Sequence, residues 1–180
     1  MTLAVARRLA AGRSEAVSRV CQVRADAPAS ASHGSGASSL RSTLPTNMIL
    51  LETTLLALAY EKRSAAADPR PVAALRRMIH QNVALGIPGI VWQELLSGVR
   101  SEGQFKQLRA HLAAFPILVA DQQHHAEAAR IAQSCAAKRI ECSPVEALIA
   151  AHAVESKAPL FTLNRAFAPI ARQAGFKLFE

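Results

Sequence analysis

The stretch MILLETTLLALAY, residues 48–60, is apolar except for Glu52, Thr53 and Thr54. Its first residues, MILLE, read as a short buried strand, and residues 54–63 read as the helix that follows it. An unpaired carboxylate inside a protein is costly or shifts its pKa. We therefore expect Glu52 either to reach a surface or to meet a positive charge.

The alternation of short apolar runs and helical patterns continues to the end of the chain. Further strands are predicted at VALGIP (83–88), PILVA (116–120), PLFTL (159–163) and FKLF (176–179). Helices are predicted at 70–82, 89–99, 101–115, 122–138, 143–156 and 165–175. Short continuous apolar strands between helices indicate an α/β fold with a parallel sheet covered on both faces. Ligands of such sheets bind beyond the carboxyl ends of the strands, where Glu52 would lie.

Composition limits the classes of protein to consider. The chain has 180 residues, 51% hydrophobic and 19% charged, which suits a globular domain with a real core. The net charge of +8 favours a polyanionic partner such as nucleic acid. Three scattered cysteines without a CxxC pair argue for a reducing, cytoplasmic setting and against a zinc site. No apolar run reaches the roughly 18 residues of a membrane span.

The first 47 residues differ in composition from the rest. They are rich in Ala, Ser and Arg and contain the low-complexity run APASASHGSGASS (27–39). Such a segment buries little apolar surface, so we expect a disordered extension at 1–47 and a folded domain at 48–180. The first 25 residues are Arg-rich and poor in acids, as transit peptides are, but a start of translation at Met48 explains them equally.

Two other glutamates are open to two interpretations each. Glu94, in GIVWQELLSGVR, lies at the margin of an apolar helical stripe, where it is either solvated or directed to a site. Ser143, Pro144 and Glu146 form a capping box that would explain all three residues. The helix that they open is apolar on nearly every face, so Glu146 could equally point to the sheet edge. Asn164 follows a strand directly, where turn asparagines are common.

The spacing of the other polar and aromatic residues indicates no particular functional site. Arg165 could be a solvated surface residue. His124 and His125 are adjacent rather than four apart, which disfavours a metal pair on one helix face and indicates surface residues. Aromatic residues make up 4% of the chain, so base stacking is a poor explanation for any nucleic-acid affinity.

Four segments taken together resemble a PIN domain, most closely a VapC-type toxin ribonuclease. They are MILLETTLLALAY, PGIVWQELLSG, SPVEALIAA and PLFTLNRAFAPIA, and the resemblance covers residues 48–180. It implies a three-layer α/β/α fold with a short central parallel sheet. In that family, acidic residues meet at the carboxyl edge of the sheet, hold Mg²⁺ or Mn²⁺, and cleave RNA.

The resemblance also implies a role for individual residues. Glu52, Glu94 and Glu146 would be catalytic and metal-binding, and Asn164 would be a fourth metal ligand. Supporting positions would be Thr53, Ser143 and Thr162, and Arg165 would hold the RNA backbone. Expected partners are an RNA substrate, a VapB-type antitoxin and a second copy of the chain in a homodimer, in the cytoplasm.

The chain departs from the family pattern at its acids. The family normally has Asp where this chain has Glu52 and Glu146, and an acid where it has Asn164. A shift of about 1 Å can reduce a rate about 10²-fold. A PIN-like protein with weakened or lost activity, which binds RNA or an antitoxin, is therefore the alternative. A plain structural α/β domain is the third possibility. Restoring Asp at all three positions is expected to strengthen a weakened site.

Overall fold

The structure is a computed structural model that describes residues 47–61 and 69–179. The extension predicted at 1–47 lies outside these ranges except for residue 47. The strands are β1 Ile49–Leu51, β2 Leu85–Pro88, β3 Ile117–Leu118 and β4 Leu160–Phe161. The helices of the described residues are α1 Thr53–Tyr60, α2 Arg70–His80, α3 Gly89–Ser97, α4 Glu102–Leu112, α5 Gln122–Ala137, α6 Pro144–Ser156 and α7 Phe167–Ala174. No helix in these ranges is both long and apolar enough to cross a membrane.

The four strands form one parallel sheet in the order β3-β2-β1-β4. Every residue of β1 and β2 is buried. Because successive side chains of a strand point to opposite faces, this burial means that helices cover both faces of the sheet. The predicted α/β class, with its short central parallel sheet, is confirmed.

One predicted strand is only partly formed. In place of a strand at 176–179, the chain makes an isolated parallel bridge between Leu178 and Leu160. The amide of Phe179 donates to the carbonyl of Leu160 at 2.9 Å, and the amide of Leu160 donates to the carbonyl of Lys177 at 2.9 Å. Since β4 is itself two residues long, it offers too short an edge for a longer ladder.

Helix α6 lies between two apolar clusters. Ile149 and Ala153 face the main core, which contains β1 and β2. Ala147, Ala150 and Ala151 face a second cluster, where α6 packs against α5 and α7. This double contact explains why the sequence of α6 is apolar on nearly every side. It also fixes the start of the helix, and with it Glu146, against the rest of the molecule.

The middle of β2 approaches its neighbours closely at Gly86. A Cβ atom at this position would lie 2.6 Å from Leu118 Cδ1 and 2.7 Å from Met48 Sδ. Both of those side chains are buried, at 8% and 3% exposure, so neither has free space to move into. The absence of a side chain at residue 86 is therefore a packing requirement of the sheet.

We expect Gly86→Ala to lower the free energy of unfolding by about 1–3 kcal/mol, because the added methyl group overpacks the core. Chemical denaturation of wild type and variant measures this difference. Gly103→Ala is the matched control, since a Cβ at residue 103 of α4 meets nothing within 4 Å. It should leave stability unchanged or raise it, as Ala favours helix over Gly. Equal effects of the two substitutions would contradict the packing account.

Candidate functional site

Glu52 ends β1 and caps the N-terminus of α1. Its side chain is buried, at 5% exposure. Its Oε2 atom accepts hydrogen bonds from the Thr54 amide at 2.9 Å, the Thr54 hydroxyl at 2.5 Å and the Thr162 hydroxyl at 2.9 Å. The first of these bonds satisfies an amide at the start of the helix, as N-cap residues do. One carboxylate oxygen of Glu52 thus joins β1, α1 and the segment after β4.

The two threonine hydroxyls that donate to Glu52 also accept hydrogen bonds. The Leu163 amide donates to Thr54 Oγ1, and the Asn164 amide donates to Thr162 Oγ1, both at 3.0 Å. These amides belong to the loop between β4 and α7. These hydrogen bonds hold the loop next to Glu52. Asn164 therefore lies beside the end of β1.

Glu94 lies on α3, which follows β2 directly. Its Oε2 atom accepts a hydrogen bond from the Thr53 hydroxyl at 2.7 Å. Thr53 is itself buried and stands next to Glu52 in the chain. The two carboxylates, one directly after β1 and the other on the helix that follows β2, are thereby held at the same carboxyl edge.

Glu146 and Asn164 form the third part of the site. Ser143 and Glu146 make the predicted capping box: the Ser143 amide donates to Glu146 Oε2 at 2.9 Å, and the Glu146 amide donates to Ser143 Oγ at 3.2 Å. Asn164 Nδ2 donates to Glu146 Oε1 at 3.1 Å, and its Oδ1 accepts from the Ala166 amide at 3.0 Å. Because an amide must donate to Glu146 and accept from Ala166, these partners fix the orientation of the Asn164 side chain.

The pKa values of Glu52 and Glu94 are both raised. For Glu52 the main cause is burial, which outweighs the hydrogen bonds from Thr54 and Thr162. For Glu94 burial is again the largest cause, and the negative charges of Glu52 and Glu146 raise its pKa further. No Lys or Arg of the described ranges forms an ion pair with any of the three glutamates. No Lys or Arg side chain of the described ranges therefore compensates these charges, and Glu52 and Glu146 add to the negative potential at Glu94.

The carboxylate oxygens of Glu52 and Glu94 are ligands that suit a hard divalent cation. The hydrogen bonds to Glu52 and Glu94 from side chains of the described residues end on Oε2, whereas both oxygens of Glu146 are engaged. In the same ranges, no three His, Cys, Asp or Glu side chains are arranged to hold a metal ion by themselves. Mg²⁺ is commonly held by one or two carboxylates together with water and phosphate oxygens. The pair Glu52 and Glu94 fits that pattern.

All the predicted site residues except Arg165 are linked by hydrogen bonds at the carboxyl edge of the sheet. Thr53, next to Glu52 in the chain, donates to Glu94. Thr162 donates to Glu52 and accepts from the Asn164 amide, and the Asn164 side chain donates to Glu146. Arg165 is exposed on the loop beside Asn164 and makes no such bond. Thr54, which sequence reasoning treated as an ordinary strand former, proves to be the main donor to Glu52. The sequence signal for it was a hydroxyl residue two positions after a buried acid.

Comparisons with known proteins agree with this fold. The PIN domain family model matches residues 50–173. FitAcB from Neisseria gonorrhoeae has a similar fold, with a TM-score of 0.60 and 22% identity over 74% of this chain and 97% of the other. VapBC2 from Rickettsia felis, bound to a DNA fragment from its promoter, gives a TM-score of 0.59 and 20% identity over 73% and 97%. No curated protein matches the chain.

We expect Glu52→Gln and Glu94→Gln to raise the free energy of unfolding at pH 7.5 in EDTA. A carboxyl group whose folded pKa lies above its ordinary 4.5 stabilises the fold below pH 4.5 and loses that contribution as the pH rises through the folded pKa. Removing the charge should therefore help at pH 7.5, and the gain should shrink toward pH 4.5. Urea denaturation at both pH values measures it.

Glu102→Gln is the control for this pair. Glu102 is exposed and pairs with Lys106 at 3.6 Å, an interaction worth at most about 1 kcal/mol at either pH. Lower stability of the variants at residues 52 and 94 than of wild type at pH 7.5 would contradict the prediction. It would mean that the hydrogen bonds to the ionised carboxylates stabilise the fold by more than the burial of their charge destabilises it.

We expect Asn164→Asp to destabilise the protein in EDTA by about 1 kcal/mol or more, because a carboxylate oxygen would replace the amide that donates to Glu146. Millimolar Mn²⁺ should recover this loss, since a cation relieves the repulsion. Asn164→Ala is the matched control; it loses the same bond but gains no charge, so Mn²⁺ should not recover it selectively. Equal stability of Asn164→Asp and wild type in EDTA would contradict the role of this hydrogen bond.

Proposed function

This chain belongs to the PIN domain family, and from that premise we propose that it is a metal-dependent endoribonuclease, the toxin of a VapBC-type toxin–antitoxin system. One observation carries the proposal. Glu52 and Glu94 lie at the carboxyl edge of a parallel sheet, with raised pKa values and no cationic partner among the described residues. Buried acids with raised pKa values and no ion pair are typical of a functional site. In a purely structural core, such acids would be paired with a cation or replaced by apolar residues.

Glu52 and Glu94 are the residues that would hold Mg²⁺ or Mn²⁺. When bound, the ion supplies a Lewis acid that activates water and stabilises charge on the phosphoryl group. Thr54 and Thr162 fix Glu52 through one oxygen, and Thr53 fixes Glu94 in the same way. In this proposal, the other oxygen of each carboxylate binds the ion. Glu94, whose pKa is raised by burial and by the two neighbouring carboxylates, is suited to accept a proton from the attacking water.

Glu146 and Asn164 position each other in this proposal. The amide of Asn164 donates to Glu146 and so offsets part of its negative charge. An acid at residue 164 would instead add a charge beside three others. We therefore assign Asn164 a positioning role in the metal-free protein in place of the ligand role that the family resemblance implies. The expected benefit of restoring Asp at residue 164 then depends on a cation being present.

The substrate proposal rests on charge. The chain carries +8 and few aromatic residues, so it would hold RNA through the phosphate backbone. Arg165, exposed beside Asn164, is the nearest candidate for such a contact in the β4–α7 loop. Cytoplasmic action follows from an RNA substrate.

A non-catalytic PIN-like protein is the second candidate. It is favoured by the capping role of Glu146, both of whose oxygens are engaged within the protein. Such a protein would bind RNA or an antitoxin without turnover. The same assay separates the two candidates.

We expect purified protein to cleave a mixed RNA pool in Mg²⁺ or Mn²⁺ and not in EDTA. Glu94→Gln should reduce cleavage by about 100-fold or more, because it removes a ligand charge without changing shape. Glu102→Gln, at an exposed position of α4, should cleave as wild type does. A folded wild-type protein that binds RNA but never cleaves it would establish the non-catalytic candidate instead.

We also propose a VapB-type antitoxin as partner and a homodimer of this chain as its target. The neighbour from Rickettsia felis is a VapBC2 complex, which supports a partner of this kind. An arginine of the partner could pair bidentately with Glu52 and Glu94.

Co-expression with the adjacent small gene should therefore yield a stable complex that contains two copies of this chain and lacks RNA cleavage. Multi-angle light scattering and the cleavage assay measure both properties. A free monomer whose activity is unaffected by co-expression would contradict the proposed partner.

A further inference from the structure

His152 is a buried polar side chain that the proposed nuclease site does not use. It lies on α6, two turns after Glu146, and its side chain is 1% exposed. Neither of its ring nitrogens has a hydrogen-bond partner within the described residues. A buried, unsatisfied polar group costs about 1–3 kcal/mol, and an ion or a water is the usual explanation.

The ring of His152 faces the ring of His124 on α5. Their centroids are 4.4 Å apart, with the planes inclined by 39°. The sequence placed His124 at the surface, but its side chain is only 21% exposed, so that prediction was wrong for His124. The reason is tertiary: its neighbour lies on the next helix, beyond the reach of a spacing argument.

Asp121 fixes the protonation of His124. Its Oδ1 atom lies 2.6 Å from His124 Nδ1, and its backbone amide lies 3.3 Å from the same nitrogen. The shorter contact, with a carboxylate oxygen, favours a proton on Nδ1. His124 therefore donates through Nδ1 and keeps the lone pair of Nε2 available. A carboxylate behind an imidazole in this manner is the usual arrangement of metal-binding histidines, because it sets the tautomer and the ring orientation.

We propose that His124 and His152 form a binding site for a transition-metal ion of the zinc class, with Asp121 orienting His124 from behind. Imidazole suits Zn²⁺, Ni²⁺ and Cu²⁺, whereas Mg²⁺ and Mn²⁺ prefer the oxygens of Glu52 and Glu94. Two imidazoles are the whole contribution of the described residues, so water fills the remaining positions.

The charge of the surroundings permits this assignment. Burial, together with the neighbouring His124 and His125, lowers the pKa of His152 to about 4, while Asp121 opposes that shift. Both ring nitrogens of His152 lack a hydrogen-bond partner among the described residues, and a neutral imidazole has one lone pair for a metal ion. The hydrogen bond from His124 lowers the pKa of Asp121 to about 2, which keeps its carboxylate ionised. Glu155, on the same side of α6, accepts a hydrogen bond from Gln123 at 3.4 Å.

The test is titration of the full chain with Zn²⁺ by calorimetry, with Co²⁺ absorption as the spectroscopic readout. His152→Leu removes one ligand and should fold well, because it replaces an unsatisfied polar group with an apolar one. Asp121→Asn retains a capping side chain at the start of α5 but removes the carboxylate behind His124. His125→Gln, on the exposed adjacent residue, is the matched control.

We expect wild type to bind Zn²⁺ at the two histidines, His152→Leu to lose this binding, and Asp121→Asn to weaken it by about 10–100-fold. His125→Gln should bind as wild type does. The double variant Glu52→Gln/Glu94→Gln removes the acidic edge as a competing Zn²⁺ site, so the binding that remains in it should be that of the histidines. Zn²⁺ binding that survives in His152→Leu but disappears in the glutamate variants would place the ion at the acidic edge and overturn the proposal. No binding by wild type would overturn it equally, leaving a water as the partner of His152.

Discussion

The oxygen Oε2 of Glu52 is the atom on which the acidic edge depends. It accepts three hydrogen bonds, two from Thr54 and one from Thr162, and so joins the end of β1, the start of α1 and the loop after β4. Three donors on one oxygen restrict the rotation of this carboxylate more than the single donor Thr53 restricts that of Glu94. Both side chains are thereby held at the same edge of the sheet.

This arrangement leaves the acidic edge with negative charge that no cation of residues 47–61 and 69–179 neutralises through an ion pair. Glu52 and Glu94 both have raised pKa values, and Glu146 adds to the negative potential at Glu94. The protein offsets only part of it, through threonine hydroxyls and the amide of Asn164. Neutral donors orient carboxylates without removing their charge, so the edge retains an attraction for cations. That combination of order and uncompensated charge is the physical basis of the proposed metal dependence.

The architecture could be predicted from the sequence because the patterns that indicate strands, helices and caps are local. Short apolar strands between helices predicted the parallel sheet, and the Ser143–Glu146 capping box formed as its spacing indicated. The site was predicted through family resemblance, since the side chains that meet there come from distant parts of the chain. Thr54 was missed because its role is fixed by the loop after β4, and the strand at 176–179 was overestimated because its partner β4 is so short.

The central claim is that Glu52 and Glu94 together bind a divalent cation at the carboxyl edge of the sheet. Anomalous scattering from crystals soaked in Mn²⁺ tests it most directly, because the metal is located without reference to activity. The account predicts one peak within ligand distance, about 2.0–2.3 Å, of an oxygen from each of these two glutamates. A map with no peak there, from crystals in which both side chains are ordered, would contradict it.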